Sequence, residues 1–408
     1  MQPAENTLKR TLSLPLVTFF GLGNILGAGI YVLIGKVAGE AGYLAPLAFF
    51  IASIVAAISA FTYAELSARY PVSAGEAVYI QEGFHNVNLS RIVGLLIMLA
   101  GIVSSAAIAH GFAGYLQVFI DIPAPVIVVT LIVSLGALAA WGINESTKVA
   151  ALLTIIEVAG LILIMVVGAD YLTQRSGALS VEIQSTESVS WTGVFSGAFL
   201  AFYAYIGFED MVNIAEEVKE PQRNMPRAIL ICVVVSSLLY AAISWVAVNV
   251  LTQEQLTSST APLALLYTEA TGEPPVLITV IGLFAVVNGC LIQIIMASRL
   301  SYGMASRNWL PAPLATIHPA TSTPINSTLG VVILILLFAL AFPLVTLAQF
   351  TSYLVLTVFA LVNLALLRIK VRLPNPGNVA VYSVWLPRFG FATTAMFLMI
   401  EIYSKVSQ

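Results

Sequence analysis

Glycines concentrate in the first long apolar segment, where Gly21, Gly23, Gly27 and Gly29 fall within nine residues. Each glycine inside a helix costs roughly 1 kcal/mol relative to alanine, so we predict that this helix breaks at 27–29. Backbone N–H groups freed at a helix N-terminus attract anions, and a carboxylate is the ligand we expect there. The predicted contacts are Gly27, Ala28, Gly29 and Ile30.

A second apolar segment is interrupted by the run 202–210, Phe-Tyr-Ala-Tyr-Ile-Gly-Phe-Glu-Asp. Unwound backbone inside a membrane must face a cavity or a ligand, because its polar groups have no water to bond. Free C=O groups suit an ammonium, and together with the first break they describe a site for a zwitterion. The predicted contacts are Tyr203, Ala204, Ile206 and Gly207.

The first break has a second interpretation, because Gly23 and Gly27 also form a GxxxG pair. That spacing is typical of helices that pack closely in membranes. The matching break in the second segment favours the binding-site interpretation, since paired broken helices are a pointer to a solute site.

Three acids lie within apolar runs: Glu157, Glu209 and Asp210. A charge near the bilayer centre costs several kcal/mol, so we treat these acids as functional candidates. Glu157 is predicted to cycle a proton or to coordinate a cation; the alternative is a hydrogen bond to a neighbouring helix. Glu209 is predicted to bind a proton or gate a cavity, or else to cap unwound N–H groups. Asp210 would point about 100° away on a helix and receives less weight.

The third apolar segment carries small polar residues on one helical face, formed by Gly101, Ser104, Ser105 and Ile108. We expect that face to line the site, and Ser105 is the predicted contact. His110 falls about 200° from Ile108 and is interpreted as a structural histidine.

Composition shows which solvent surrounds these segments. The 408 residues are 59% hydrophobic and only 9% charged, with a mean hydropathy of +0.96. A soluble domain carries about 25% charged residues, so the bilayer must solvate most of this chain. The net charge of −3 gives no argument for a nucleic acid partner.

A membrane helix needs about 20 predominantly apolar residues, and the chain predicts eleven such spans in one membrane domain covering residues 1–408. Their approximate bounds are 12–39, 44–68, 91–120, 124–142, 149–169, 191–214, 227–251, 275–305, 326–343, 347–368 and 387–405.

Lysine and arginine are distributed unequally between the two sets of loops. With a cytoplasmic N-terminus, all but three of the 17 lie inside, the exceptions being Lys36, Arg175 and Lys405. This bias favours a cytoplasmic N-terminus and, with eleven spans, an outside C-terminus.

The two interrupted spans are the first and the sixth. They open two possible five-span repeats, at about 12–169 and 191–368, followed by an extra span at about 387–405. Under the predicted topology the first span runs outward and the sixth inward, so the two repeats are inverted.

At these motifs the chain resembles the amino acid–polyamine–organocation (APC) superfamily of transporters along nearly its whole length. The run 23–30 resembles the first-span motif of the family, and 201–209 resembles the break in its sixth span. The sequence departs from the family pattern at Ala74, where the family's P-x-S-G-G segment has its first glycine. The other matching segments are 71–75, 216–226, 297–305 and 309–311.

The resemblance implies an all-α membrane protein with the leucine-transporter-type five-plus-five inverted repeat, although the family usually has twelve spans. It implies secondary amino acid transport, as proton symport or as exchange. Gln293 matches a substrate-lining position, and Glu157 stands where related proton-coupled members often carry a lysine. It also implies that 27–29 bind the substrate carboxylate and that the carbonyls of Tyr203, Ala204 and Ile206 bind its amine.

We therefore predict a secondary amino acid transporter of the cell membrane that is coupled to protons, with sodium coupling as an alternative and a neutral substrate favoured. Exchange, a channel and a substrate sensor on the same fold remain alternatives. An enzyme is disfavoured, because the sequence contains no HExxH and no GxSxG motif. No cofactor and no metal are predicted.

Overall fold

The computed structural model describes residues 10–27, 29–72, 75–141, 147–175, 190–319, 321, 323–377 and 379–406. Helices account for the secondary structure of this part of the chain, apart from an isolated bridge between Leu12 and Val218. The all-α prediction is confirmed.

Fifteen α-helices follow one another in the described residues. They are α1 (Leu14–Leu26), α2 (Gly29–Ala41), α3 (Ala45–Arg69), α4 (Gly75–Phe84), α5 (Val87–Leu116), α6 (Ala124–Trp141), α7 (Thr147–Arg175), α8 (Trp191–Phe202), α9 (Pro221–Val250), α10 (Gln253–Ser258), α11 (Pro262–Thr271), α12 (Val276–Ser306), α13 (Ile325–Ala341), α14 (Leu344–Arg372) and α15 (Trp385–Val406). Short 3₁₀ helices occupy Gly42–Leu44, Tyr203–Tyr205, Glu209–Glu217 and Ala312–Ala315.

Eight helical segments within the described ranges are long and apolar enough to cross a membrane. The first, Leu14–Arg69, contains α1, α2 and α3, while α13 is apolar but shorter. Large apolar side chains such as Val166 and Leu337 are exposed on these helices, as lipid contact requires. The chain is a helical membrane protein; its eleven spans and five-plus-five repeat stay predictions.

Both predicted breaks are confirmed. Helix α1 ends at Leu26 and α2 begins at Gly29, so the first span is interrupted at its glycines. Helix α8 ends at Phe202, and one 3₁₀ turn leads to Ile206, which is extended. Gly207 then adopts φ +131°, a conformation that favours glycine, before the 3₁₀ helix Glu209–Glu217 begins.

A buried ion-pair network joins α3 to α14 at one end of the bundle. The Glu65 carboxylate accepts hydrogen bonds from Arg69 Nε at 3.0 Å and Nη2 at 2.7 Å. Its second oxygen lies 2.7 Å from Lys370 Nζ and accepts from the backbone N–H of Tyr382 at 2.9 Å. Every oxygen of this buried carboxylate therefore has a donor.

Candidate functional site

The two helix breaks pack directly against each other. A Cβ added to Gly29 would lie 2.4 Å from the Cα of Ala204, so the backbones approach as closely as glycine allows. Ile30 is fully buried beside this contact, and Gly27 lies close to the carbonyl of Ala285 on α12. The predicted contact Ala28 lies outside the described residues.

Asn24, on the last turn of α1, ties the first break to the second. Its Nδ2 donates to the carbonyl of Gly207 at 2.8 Å. The backbone N–H of Gly207 donates in turn to Glu209 Oε2 at 2.8 Å. Glu209 thus caps unwound backbone, which was one of its two predicted roles, and its gating role stays a prediction.

Protein donors occupy two of the three carbonyls predicted to bind an amine. The carbonyl of Tyr203 accepts from the N–H of Ile206 at 3.2 Å. The hydroxyl of Tyr240 on α9 lies 2.9 Å from the carbonyl of Ala204 and 2.8 Å from that of Ile25. One hydroxyl therefore bridges both breaks, and it uses one of the two lone pairs of the Ala204 carbonyl.

Asp210 is the acid that sequence reasoning underrated. Its Oδ2 accepts from Asn24 Nδ2 at 2.9 Å and from Gln293 Nε2 at 2.8 Å. The predicted contact Gln293 is thereby held on the same carboxylate as α1. The helical angle used for Asp210 fails because Gly207 and the 3₁₀ helix redirect the chain after the break. The amide side chains of Asn24 and Gln293, which lie within apolar runs, were the sequence feature that could have indicated a buried acceptor such as Asp210.

A cavity of about 920 Å³ leads from the end of the bundle that carries Arg307 and Trp309 to these residues. Asp210, Gln293 and Gly101 line its depth. A second, much smaller space of about 20 Å³ lies next to it and shares that wall. Ile206, a predicted substrate contact, and Glu209, predicted to bind a proton or gate a cavity, line the small space.

On α5 the site is lined by Ser104 rather than by its neighbour Ser105. The Ser104 hydroxyl lies 2.9 Å from the hydroxyl of Tyr203 and borders the small space. Ser105 is fully buried and donates to the carbonyl of Gly101 on its own helix at 2.8 Å. Gly101 and Ser104 of the predicted α5 face line the two cavities, but the serine that contacts Tyr203 is Ser104 and not the predicted Ser105.

Glu157 lies apart from both cavities, between α7, α1 and α12. Its Oε1 accepts from Asn288 Nδ2 at 3.4 Å, and its buried Oε2 has no hydrogen-bond partner. The Glu157 carbonyl accepts from the Tyr31 hydroxyl at 2.9 Å. One turn away, Thr154 Oγ1 donates to the carbonyl of Phe19 at 3.0 Å. The carboxyl therefore has one weak partner and a free oxygen.

Glu76, at the start of α4, is a site residue that sequence reasoning missed. It lines both cavities, and burial raises its pKa to about 8, with the nearby charge of Asp210 acting in the same direction. Glu76 lies between the second and third predicted spans, so no apolar run marks this glutamate as buried.

The raised pKa of Glu76 makes stability depend on pH. The protonated Glu76 carboxyl contributes fully to the free energy of unfolding below pH 4.5, its ordinary pKa. This contribution is lost as the pH rises through about 8. We expect the free energy of unfolding of wild type to fall, relative to Glu76→Gln, by about 1.4 kcal/mol per pH unit within that window. Thermal unfolding in detergent from pH 5 to 9 measures the difference. Parallel pH profiles for the two proteins would contradict it.

These features define a helical membrane protein in which two broken helices pack against each other, and Asp210, just past the second break, lines a deep cavity. The chain belongs to the amino acid permease family, whose model matches residues 12–406. That match covers nearly all of the sequence and confirms the resemblance to the APC superfamily.

Curated relatives agree with this family. The chain is 31% identical over 397 residues to "Cationic amino acid transporter 4, vacuolar" of Arabidopsis thaliana, covering 92% of this chain and 65% of the relative. It is 26% identical over 395 residues to "Branched-chain amino acid permease BcaP" of Bacillus subtilis, covering 91% and 83%. It is 27% identical over 399 residues to "Methylthioribose transporter" of the same organism, covering 92% and 84%. These names are those of transporters and permeases, not of enzymes.

The chain spans about two thirds of the length of the plant relatives, 65% of one and 64% of another.

Proposed function

We propose that this protein is a secondary active transporter that carries amino acids across the cell membrane by alternating access. The observation that carries the proposal is the contact of the two helix breaks, Gly29 against Ala204, in a bundle where Asp210, just past the second break, lines the cavity. A site made from interrupted helices can close on either side when the helices rock about it. Two relatives named for amino acids support the substrate class.

Substrate recognition follows from the two breaks. The backbone N–H groups of 27–30 bind the carboxylate, because helix N-termini attract anions. The carbonyls of Tyr203, Ala204 and Ile206 bind the ammonium, with Gly207 allowing the sharp turn that exposes them. The Tyr240 hydroxyl already donates to the Ala204 carbonyl, so a bound ammonium shares that oxygen or displaces the hydroxyl, and either change acts on the contact between the breaks.

The proposed arrangement is the five-plus-five inverted repeat with eleven spans, a cytoplasmic N-terminus and an outside C-terminus. With that orientation the cavity mouth at Arg307 and Trp309 faces the cytoplasm. The described conformation is then open inward, and the packed breaks separate the substrate site from the outside.

Proton coupling is assigned to Glu157. Its unpartnered oxygen and complete burial suit a carboxyl that is neutral in one conformation and ionised in another. The carboxyl contacts Asn288 on α12, and both Asn288 and Thr154, one turn from Glu157, lie close to Gly23, which links the carboxyl to the helix that carries the first break.

Replacing Glu157 by glutamine is expected to remove the dependence of uptake on a proton gradient. The amide keeps the shape of the side chain but cannot exchange a proton. Uptake of labelled amino acids into proteoliposomes, with and without an inward proton gradient, measures the effect; wild type should accumulate substrate at least tenfold more with the gradient. Asp170→Asn, on an exposed part of the same helix, is the matched control.

A gradient dependence that Glu157→Gln leaves intact would remove Glu157 from coupling. Replacing the proton gradient by a sodium gradient tests the sodium alternative, and counterflow with substrate inside the vesicles tests exchange. If none of the twenty common amino acids binds or moves, the transport proposal itself fails.

A further inference from the structure

The carbonyl of Ile206 differs from the other two carbonyls that are proposed to bind an ammonium. Those of Tyr203 and Ala204 each accept a hydrogen bond from the protein. Within the described part of the chain, no donor is bonded to the Ile206 carbonyl. Ile206 is only 9% exposed, and buried carbonyls normally have a partner, so this oxygen identifies a place where a donor from a ligand is missing.

The side chain of Glu209 holds the peptide group to which this carbonyl belongs. The backbone N–H of Gly207 donates to Glu209 Oε2 at 2.8 Å. A peptide group is planar and trans, so its C=O and its N–H point in opposite directions. The Ile206 carbonyl and the Gly207 N–H are the two ends of one such group, and the carbonyl therefore points away from the Glu209 carboxyl.

The following peptide group is held as well. Asn24 Nδ2 donates to the carbonyl of Gly207 at 2.8 Å. Gly207 itself has φ +131°, a conformation that residues with a side chain rarely adopt. Because the peptide groups on both sides of Gly207 have a fixed partner, rotation about its backbone bonds cannot easily turn the Ile206 carbonyl aside.

Direct contact between Glu209 and the ammonium does not fit this arrangement. An ammonium bonded to the Ile206 oxygen lies on the far side of the peptide group from Glu209 Oε2. That carboxyl oxygen is already occupied by the Gly207 N–H. Glu209 can therefore act on the ammonium through the peptide group that separates them.

The geometry points to Glu209 as the positioning residue of the ammonium site, which directs the Ile206 carbonyl at the substrate through the Gly207 peptide group. The inference rests on the proposed function, because it takes the ligand of that carbonyl to be the ammonium of an amino acid. The role depends on accepting a hydrogen bond and not on carrying a negative charge. Glutamine keeps an amide oxygen as acceptor, whereas methionine has a similar length and only a weak acceptor.

Calorimetric titration of the full-length purified protein tests this role. The ligands are the amino acid that wild type takes up best among the twenty common ones and its 2-hydroxy analogue, in which a hydroxyl replaces the amine. We expect wild type to bind the amino acid at least tenfold more tightly than the hydroxy acid, because hydrogen bonds from charged donors are the stronger ones. Glu209→Met should lower this preference about tenfold, since the carbonyl is no longer directed at the ammonium. Glu209→Gln should keep it within about threefold of wild type.

Asn86→Ala is the matched control. Asn86 Oδ1 accepts from the backbone N–H of Leu89 at 3.1 Å at the start of α5, a bond of the same kind outside both cavities. Its loss should lower the unfolding temperature and leave the preference for the amino acid unchanged. Thermal unfolding of each variant shows that it is folded. Asn24→Leu, which frees the Gly207 carbonyl, should lower the same preference and decides the question if Glu209→Met does not fold.

Three results overturn the positioning role and leave amino acid transport standing. The first is a loss in Glu209→Gln as large as that in Glu209→Met, which would mean that the charge acts on the substrate. The second is an equal loss of amino acid and hydroxy acid binding in Glu209→Met, and the third is no loss at all. Failure of wild type to bind any of the twenty amino acids is a different result, which refutes the proposed function itself.

Discussion

Replacing Gly29 by alanine is expected to reduce amino acid uptake by about 100-fold. The new methyl carbon would lie 2.4 Å from the Cα of Ala204 and 2.6 Å from its Cβ. Non-bonded carbon atoms prefer about 3.5–4.0 Å, so the two breaks must separate by more than 1 Å. Since both breaks supply backbone contacts to the proposed substrate, a shift of that size costs about two orders of magnitude in a positioned site.

Uptake by proteoliposomes with matched protein content measures this loss, and calorimetry shows whether it comes from binding. Gly330→Ala, in the interior of α13, is the control. The nearest atom to its added Cβ is Leu314 Cδ2 at 3.9 Å, an ordinary contact. That variant should transport as wild type and gain about 0.5–1 kcal/mol of stability from its helix. Near-normal uptake by Gly29→Ala would mean that the breaks are not in contact during transport.

The positions of both breaks could be predicted because their causes are local. The glycine cluster near Gly27 lowers helix propensity within a few residues, and the run around Gly207 places acids next to unwound backbone. Such effects depend on neighbouring residues in the chain, so a single sequence is enough to locate them. The all-helical fold followed from composition for a related reason, because a bilayer admits few other structures.

The walls of the cavity could not be predicted in the same way. Asp210 reaches Gln293 only because the chain turns at Gly207 and continues as a 3₁₀ helix. Glu76 faces that carboxylate from a short helix that no apolar periodicity marks. Whether Ser104 or Ser105 faces the site depends on how α5 is rotated about its axis, because neighbouring residues of a helix point about 100° apart. Each of these depends on how distant helices pack, which sequence patterns do not specify.

Glu65, near the end of α3, shows the same limit. A glutamate near a helix end can extend its side chain to the membrane surface, so the sequence position of Glu65 does not indicate a buried charge. In the structure, however, the Glu65 side chain is 0% exposed. Its partner Lys370 lies 305 positions later in the chain, so nothing near Glu65 in sequence indicates the pair.

Replacing Glu65 by glutamine is expected to lower the free energy of unfolding by about 3–5 kcal/mol. The substitution leaves two cations in a buried place, because the Arg69 side chain is 1% exposed and that of Lys370 is 8% exposed. Glutamine can accept a hydrogen bond at one oxygen only, whereas the carboxylate serves donors at both. Thermal unfolding in detergent, together with the fraction of protein that stays monodisperse, measures the loss.

An exposed glutamate–arginine pair provides the matched control. Glu220 and Arg223 lie 3.9 Å apart with side chains 73% and 64% exposed, so Glu220→Gln should change stability by less than about 0.5 kcal/mol. Lys370→Met in the Glu65→Gln background should restore part of the lost stability, because it removes one of the stranded charges. If Glu65→Gln and Glu220→Gln unfold at the same temperature, water reaches the network and Glu65 does not hold α3 to α14. A difference of several degrees, reduced by the second substitution, is what burial of the three charges requires.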